Sequence, residues 1–147
     1  GGRGWGARLR GNFAILKELS QTRGLDKDAF NQRLARLEMD IQAVEITEQR
    51  VIIELQKTGR IGPASSLLKL CAGNTLQAIT ECSLEAIGIY AAPRQLVARD
   101  WGSNLEPIGS NDELTVVASY LDQRARSIAG GSSEVQRNIM AKHILGM

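Results

Sequence analysis

A chain of 147 residues is the size of one ordinary domain and can bury a core without disulfides or metals as staples. Hydrophobic residues make up 43% and charged residues 23%, with three prolines, which excludes a disordered or low-complexity chain. Lysine and arginine exceed aspartate and glutamate by 18 to 16, and the two signs interleave along the sequence, so there is no basic block to bind nucleic acid.

The chain opens with Gly1, Gly2, Arg3, Gly4, Trp5 and Gly6, too rich in glycine to start an element and without an initiating methionine. Residues 1–7 are therefore expected to be a linker or appended residues on a piece of a longer protein, with residues 8–147 forming a helical bundle domain. Leu9, Phe13, Leu16 and Leu19 recur at three- and four-residue steps and predict a first helix over residues 9–23, ended by Gly24. Asp28 suits the N-cap of a second helix of about thirty residues, with Leu34, Leu37, Ile41, Val44, Val51, Ile52 and Leu55 on its apolar side and Gly59 at its end. Arg33, Arg36, Glu38, Glu45, Glu48 and Arg50 are spaced to pair along its solvated side.

The run Ile61, Gly62, Pro63 breaks the pattern, and a third helix is predicted from Ala64 or Ser65 to near Gly88, through Leu67, Leu68, Leu70, Cys71, Leu76, Ile79, Leu84 and Ile87. Its two cysteines, Cys71 and Cys82, stand about 16 Å apart along the axis, too far to bridge, and are expected to be free buried thiols. Residues 91–110 contain Pro93, Gly102, Pro107 and Gly109 and read as a long surface connection. A fourth helix fits residues 111–128, with Leu114, Val117, Leu121 and Ala125 on one face, and a fifth runs from Ser133 to the end of the sequence. Trp5 and Trp101 fall in expected loops, where large aromatics cap a core edge or an interface.

No segment alternates with period two and none repeats another. The fold class is all-α: a four-helix up-and-down bundle with an additional C-terminal helix. No apolar run approaches the roughly 20 residues that cross a bilayer, and no signal-peptide pattern opens the chain, so a soluble, cytoplasmic protein is expected. His143 is the only histidine and has no companions at metal-ligand spacing, which predicts a surface position and no metal site.

Chemistry concentrates in residues 127–142. Gly130 and Gly131 permit a turn at positive φ and a close approach to the backbone, while Ser133 and Gln136 have capping-box spacing. Such a helix start offers N–H donors to a ligand's acceptor atoms or negative charge, although a plain capped helix accounts for the same residues.

The run Gly130, Gly131, Ser132, Ser133, Glu134, Val135, Gln136, Arg137, Asn138 and on to Gly146 resembles the C-terminal signature of the acyl-CoA dehydrogenase family over about seventeen positions. Weaker similarity, in the same order as in that family, covers Arg33, Leu34 and Ala35 through Glu45, then residues 64–69, then Glu85, Ala86, Ile87 and Gly88. The resemblance implies the family's C-terminal bundle without the N-terminal helical and middle β domains that precede it. It implies FAD as cofactor and an acyl-CoA substrate oxidised to the trans-2-enoyl-CoA, a carboxylate removing the α-proton while the β-hydride passes to the flavin.

Carried over by position, Gly131 is implied to lie near the substrate, and Ser132, Ser133 and Glu134 to contact FAD. Gly88, in the turn after the third helix, is implied to contact the FAD of a neighbouring subunit. The family's glutamate base falls on Gly130, which has no side chain, so the catalytic residue is unassigned. Some members carry the base on the first helix of the bundle, where Glu18 is the only carboxylate in the first twenty residues. The expected protein is a cofactor-binding and assembly domain, inactive alone, in a homo-oligomer or in a hetero-oligomer with a related subunit. The alternatives are a base-less partner subunit and a non-catalytic helical interaction module.

Overall fold

The computed structural model describes residues 4–25, 27–93 and 95–146. Five helices follow one another: α1 (Trp5–Thr22), α2 (Asp28–Thr58), α3 (Ala64–Ile87), α4 (Asn111–Arg124) and α5 (Ser133–Met140), with no strand among the described residues. The all-α bundle expected from the sequence is the architecture observed.

The apolar stripe of α1 is fully buried at Leu9, Phe13, Leu16 and Leu19. Its start is not at Leu9, because the cap comes from another helix. The Glu48 carboxylate on α2 accepts from the Trp5 N–H at 2.7 Å and the Gly6 N–H at 2.9 Å, satisfying two of the donors that a helix start leaves orphaned. A Cβ on Gly4 would lie 2.7 Å from that carboxylate, so a larger residue there would push it back from the helix end. Trp5 is thus a half-buried helical residue rather than a loop aromatic, whereas Trp101 stands fully in solvent. Of the linker expected over residues 1–7, residues 1–3 lie outside the described residues, and Trp5, Gly6 and Ala7 are helical.

Helix α2 ends as expected at Gly59, whose φ of 68° accepts the left-handed cap while its N–H returns to the Leu55 carbonyl. At the other end, Lys27 occupies the cap position without a side-chain bond, and Asp28 is the first helical residue instead of the cap. The charged residues expected to pair along its wet side reach other helices. Arg10 on α1 binds Glu45 at 2.8 Å and Glu38 at 3.2 Å, and Arg33 binds Glu85 on α3. Elsewhere Arg23 pairs with Glu113 on α4, and Arg124 with Glu81 on α3 at 2.7 Å.

Helix α3 is the axis of the bundle and packs against α1, α2, α4 and α5. It buries Leu68, Ala72, Leu76, Ile79, Cys82, Ala86 and Ile87, and small residues at several of these positions let neighbouring helices approach. Each fully buried Leu or Ile contributes roughly 1.5–3 kcal/mol relative to exposure. Both cysteines are free; Cys82 is buried and Cys71 half-buried, and burial pushes both thiols above their ordinary pKa.

Helix α4 corrects the sequence reading. The face that meets the bundle carries Glu113, Val116 and Gln123, all buried. Of the expected stripe of Leu114, Val117, Leu121 and Ala125, Val117 packs half-buried at the edge of the core, while Leu121 is 63% exposed and Ala125 is exposed. Leu114, Val117 and Leu121 instead form an apolar groove with Tyr90, Pro93 and Leu96 beside the 91–110 connection. The helix also stops at Arg124 and tightens into a 3-10 turn, Ala125–Ser127, before the glycines. Two 3-10 turns, Gly88–Ala91 and Val97–Arg99, follow α3, and the Gln95 side chain fastens the limbs of the connection together through Ile108 N–H at 2.6 Å and C=O at 3.0 Å. Among the described residues no helix is long and apolar enough to cross a membrane.

Candidate functional site

The signature turn sits where α4 ends, α5 begins and the first part of α3 passes beneath. Gly130 has φ 69° and Gly131 φ 92°, both in the left-handed region that glycine enters without strain. At Gly131 space matters as well, since a Cβ there would stand 2.8 Å from Gln136 Nε2. Both glycines are exposed.

Two side chains hold the turn's carbonyls. Gln136, 8% exposed, donates from Nε2 to the Gly130 carbonyl at 3.2 Å. The Lys69 ammonium, from α3, donates to the Gly131 carbonyl. The cap of α5 is Ser132, whose Oγ accepts from the Val135 N–H at 3.4 Å. The expected capping box of Ser133 and Gln136 therefore does not form: the Gln136 amide is taken by Gly130, and the half-buried Ser133 hydroxyl donates to the Ser127 carbonyl at 3.4 Å. Glu134 is exposed, and its carboxylate is held below the usual carboxylate range by its own backbone N–H, by the Ser132 hydroxyl and by the charge of Arg137, 3.7 Å away.

A narrow polar crevice separates the turn from α3, lined by Lys69, Asn74, Gln77, Ser127, Ser133 and Gln136. Four of these side chains spend donors on backbone carbonyls: Lys69 on Gly131, Gln77 on Gln123, Ser133 on Ser127 and Gln136 on Gly130. Arg126 adds a second cation beside it; its Nε donates to Gln123 Oε1 at 3.1 Å and its guanidinium lies 6.0 Å from the Trp5 ring. No group of three His, Cys, Asp or Glu side chains is placed to hold a metal among the described residues, and His143 is exposed.

Ser132, Ser133, Glu134, Gly130 and Gly131 thus share one turn. Gly88, at φ 53°, terminates the opposite end of α3, about 28 Å from Lys69 at 1.5 Å per residue. Glu18 is exposed at that same far end, beside Thr22, Arg23, Tyr90 and Ser110. Within one chain neither Gly88 nor Glu18 approaches the turn. The turn itself offers hydroxyls, amides and cations but no side chain at position 130 to take a proton.

Lys69 is the site residue that sequence reasoning missed. It was visible only as part of the third helix's opening, and no local spacing announces a contact sixty-two residues away.

The family described as acyl-CoA dehydrogenase, C-terminal domain, matches residues 14–145. A chain of the ChsE4–ChsE5 complex from Mycobacterium tuberculosis has a similar fold, with a TM-score of 0.71 and 18% sequence identity over 97% of this chain and 36% of that one. The present chain therefore spans little more than a third of that chain's length. No curated protein matches it.

Proposed function

The chain belongs to the acyl-CoA dehydrogenase C-terminal domain family, and we propose that it is the closing helical bundle of an FAD-dependent acyl-CoA dehydrogenase, serving flavin binding and subunit assembly and inactive by itself. The observation that carries this reading is the braced glycine turn, which gathers Ser132, Ser133 and Glu134 behind two exposed, side-chain-free residues. A flat ring system can approach the backbone there. In this reading Ser132, Ser133 and Glu134 contact the flavin and Gly131 lies against the acyl-CoA. Glu134, ionised, accepts hydrogen bonds only, so its partner on the cofactor is an N–H or O–H. When bound, FAD would accept the hydride from the acyl β-carbon.

Gly88 lies too far away to serve the same flavin, and contact with the flavin of a neighbouring subunit suits its position. Exposed Ile46, Ile52, Ile53 and Leu55 on α2 offer apolar surface for assembly. Free thiols suit a reducing, cytoplasmic setting.

One observation favours a second reading. Gly130 has no side chain and Glu18 stands at the opposite end of the bundle, so neither position to which the family resemblance points brings a base to the turn, as in the base-less member of a hetero-oligomeric pair. Flavin content and acyl-CoA oxidation, measured on this chain and on the natural polypeptide that contains it, test both readings. Flavin and oxidation appearing only in the longer protein support the first. Flavin without oxidation until a related subunit is added supports the second, and flavin in neither protein overturns both.

A further inference from the structure

The hydrogen bonds of the signature turn divide into two kinds. Gln136 to Gly130, Ser133 to Ser127 and Val135 to Ser132 all join residues within six positions of one another. They fix the shape of the turn but travel with it. Lys69 to Gly131 is different: among the described residues it is the side-chain hydrogen bond that ties this backbone to the core helix, across sixty-two positions. Its own base is firm, because Leu68 and Ala72 on either side of it are buried. Its stem also runs along the turn, with Cε 3.8 Å from where a Cβ on Gly130 would stand.

We propose that Lys69 is the positioning residue of the signature turn: by holding the Gly131 carbonyl it sets where Ser132, Ser133 and Glu134 stand toward the cofactor. The inference rests on the flavin reading above. Lys69 acts through the backbone and not on the ligand, and an ammonium does this better than a neutral donor because charge-assisted bonds to carbonyls are shorter and stronger. Gly131 is also the residue where no side chain fits, so the lysine's hold is the available way to fix that peptide from the bundle.

Lys69→Met keeps the stem and its packing while removing the donor, and Lys69→Arg restores a charged donor. Hydrogen exchange on this chain without ligand reads the turn directly. The amides of Val135 and Gln136, which close the first turn of α5 on Ser132, should exchange about tenfold faster in Lys69→Met and return most of the way in Lys69→Arg, with α3 amides and the melting temperature nearly unchanged. In the natural polypeptide the FAD dissociation constant should rise about tenfold in Lys69→Met and recover in Lys69→Arg. Equal exchange in all three proteins overturns the proposal, as does faster exchange with unaltered FAD affinity. Failure of the unsubstituted natural polypeptide to bind FAD would instead overturn the flavin reading and the cofactor role given to Lys69, while the exchange rates would still decide whether Lys69 sets the turn.

Discussion

Glu113 is a carboxylate inside a helical core, 4% exposed, and three donors make that possible. The Ser110 N–H reaches it at 2.6 Å in a complete capping box, and Arg23 donates through Nε at 2.6 Å and pairs through its second nitrogen. Burial by itself would raise the pKa, but the Ser110 backbone and the Arg23 guanidinium outweigh it and hold the carboxyl below its ordinary value of 4.5. A group whose folded pKa is depressed gives its full stabilisation above the unfolded pKa and loses it as pH falls through the folded value. Urea stability should therefore decline below about pH 4.5, and Glu113→Gln should be less stable at neutral pH by about 2–3 kcal/mol. That variant should lose less than the parent between about pH 5 and 3, since it has nothing to titrate there. The spacing from Ser110 to Glu113 was present in the sequence as a capping box, three residues apart, but the glycines around it made residues 91–110 read as uniform loop.

At the scale of the helices, the apolar period found the first four elements and the glycine–serine turn the fifth, with most of their ends. It gave the buried faces of α1 and of the first half of α2, because there the buried residues are nearly all aliphatic. It misread α4, whose bundle-facing side holds Glu113 and Gln123 and whose apolar side lines an open groove. Hydrophobicity locates a core only when polar residues stay out of it. Helix starts set by distant residues were equally hidden: nothing near Trp5 reveals that Glu48, more than forty positions on, caps α1. Within the signature, position and composition yielded the glycine turn and the serine cap to within one residue, while the bracing by Lys69 depended on tertiary packing. Glu48→Gln should leave the bundle folded but loosen the first turn of α1, costing about 1 kcal/mol and speeding amide exchange at Trp5, Gly6 and Ala7.

At the scale of the molecule, α2 outruns its partner. Trp5 meets α2 at Glu48, so the last ten residues of α2 continue past the start of α1. Along that stretch Ile52 and Ile53 are nearly half exposed, and Ile61 beyond it is 69% exposed. Covering such a surface by self-association is the expected response, as a dimer or tetramer in light scattering. Ile52→Glu combined with Ile53→Glu should give a monomer whose helical circular dichroism and melting temperature stay close to the parent, whereas a parent that remains monomeric at high concentration would remove the basis for this surface as an interface.

The central place of α3 also determines which part of the molecule can leave. α1 and α2 bury apolar stripes and α4 buries Glu113, Val116 and Gln123 in the bundle, but α5 leans on α3 and its own terminal turn, and the residue it buries is Gln136. The signature turn therefore rides on the most detachable helix of the bundle. Undocking α5 would break the Lys69 hold on Gly131 while the Gln136 bond to Gly130 moved off with the turn, and the core around Leu76 and Ile79 would stay closed.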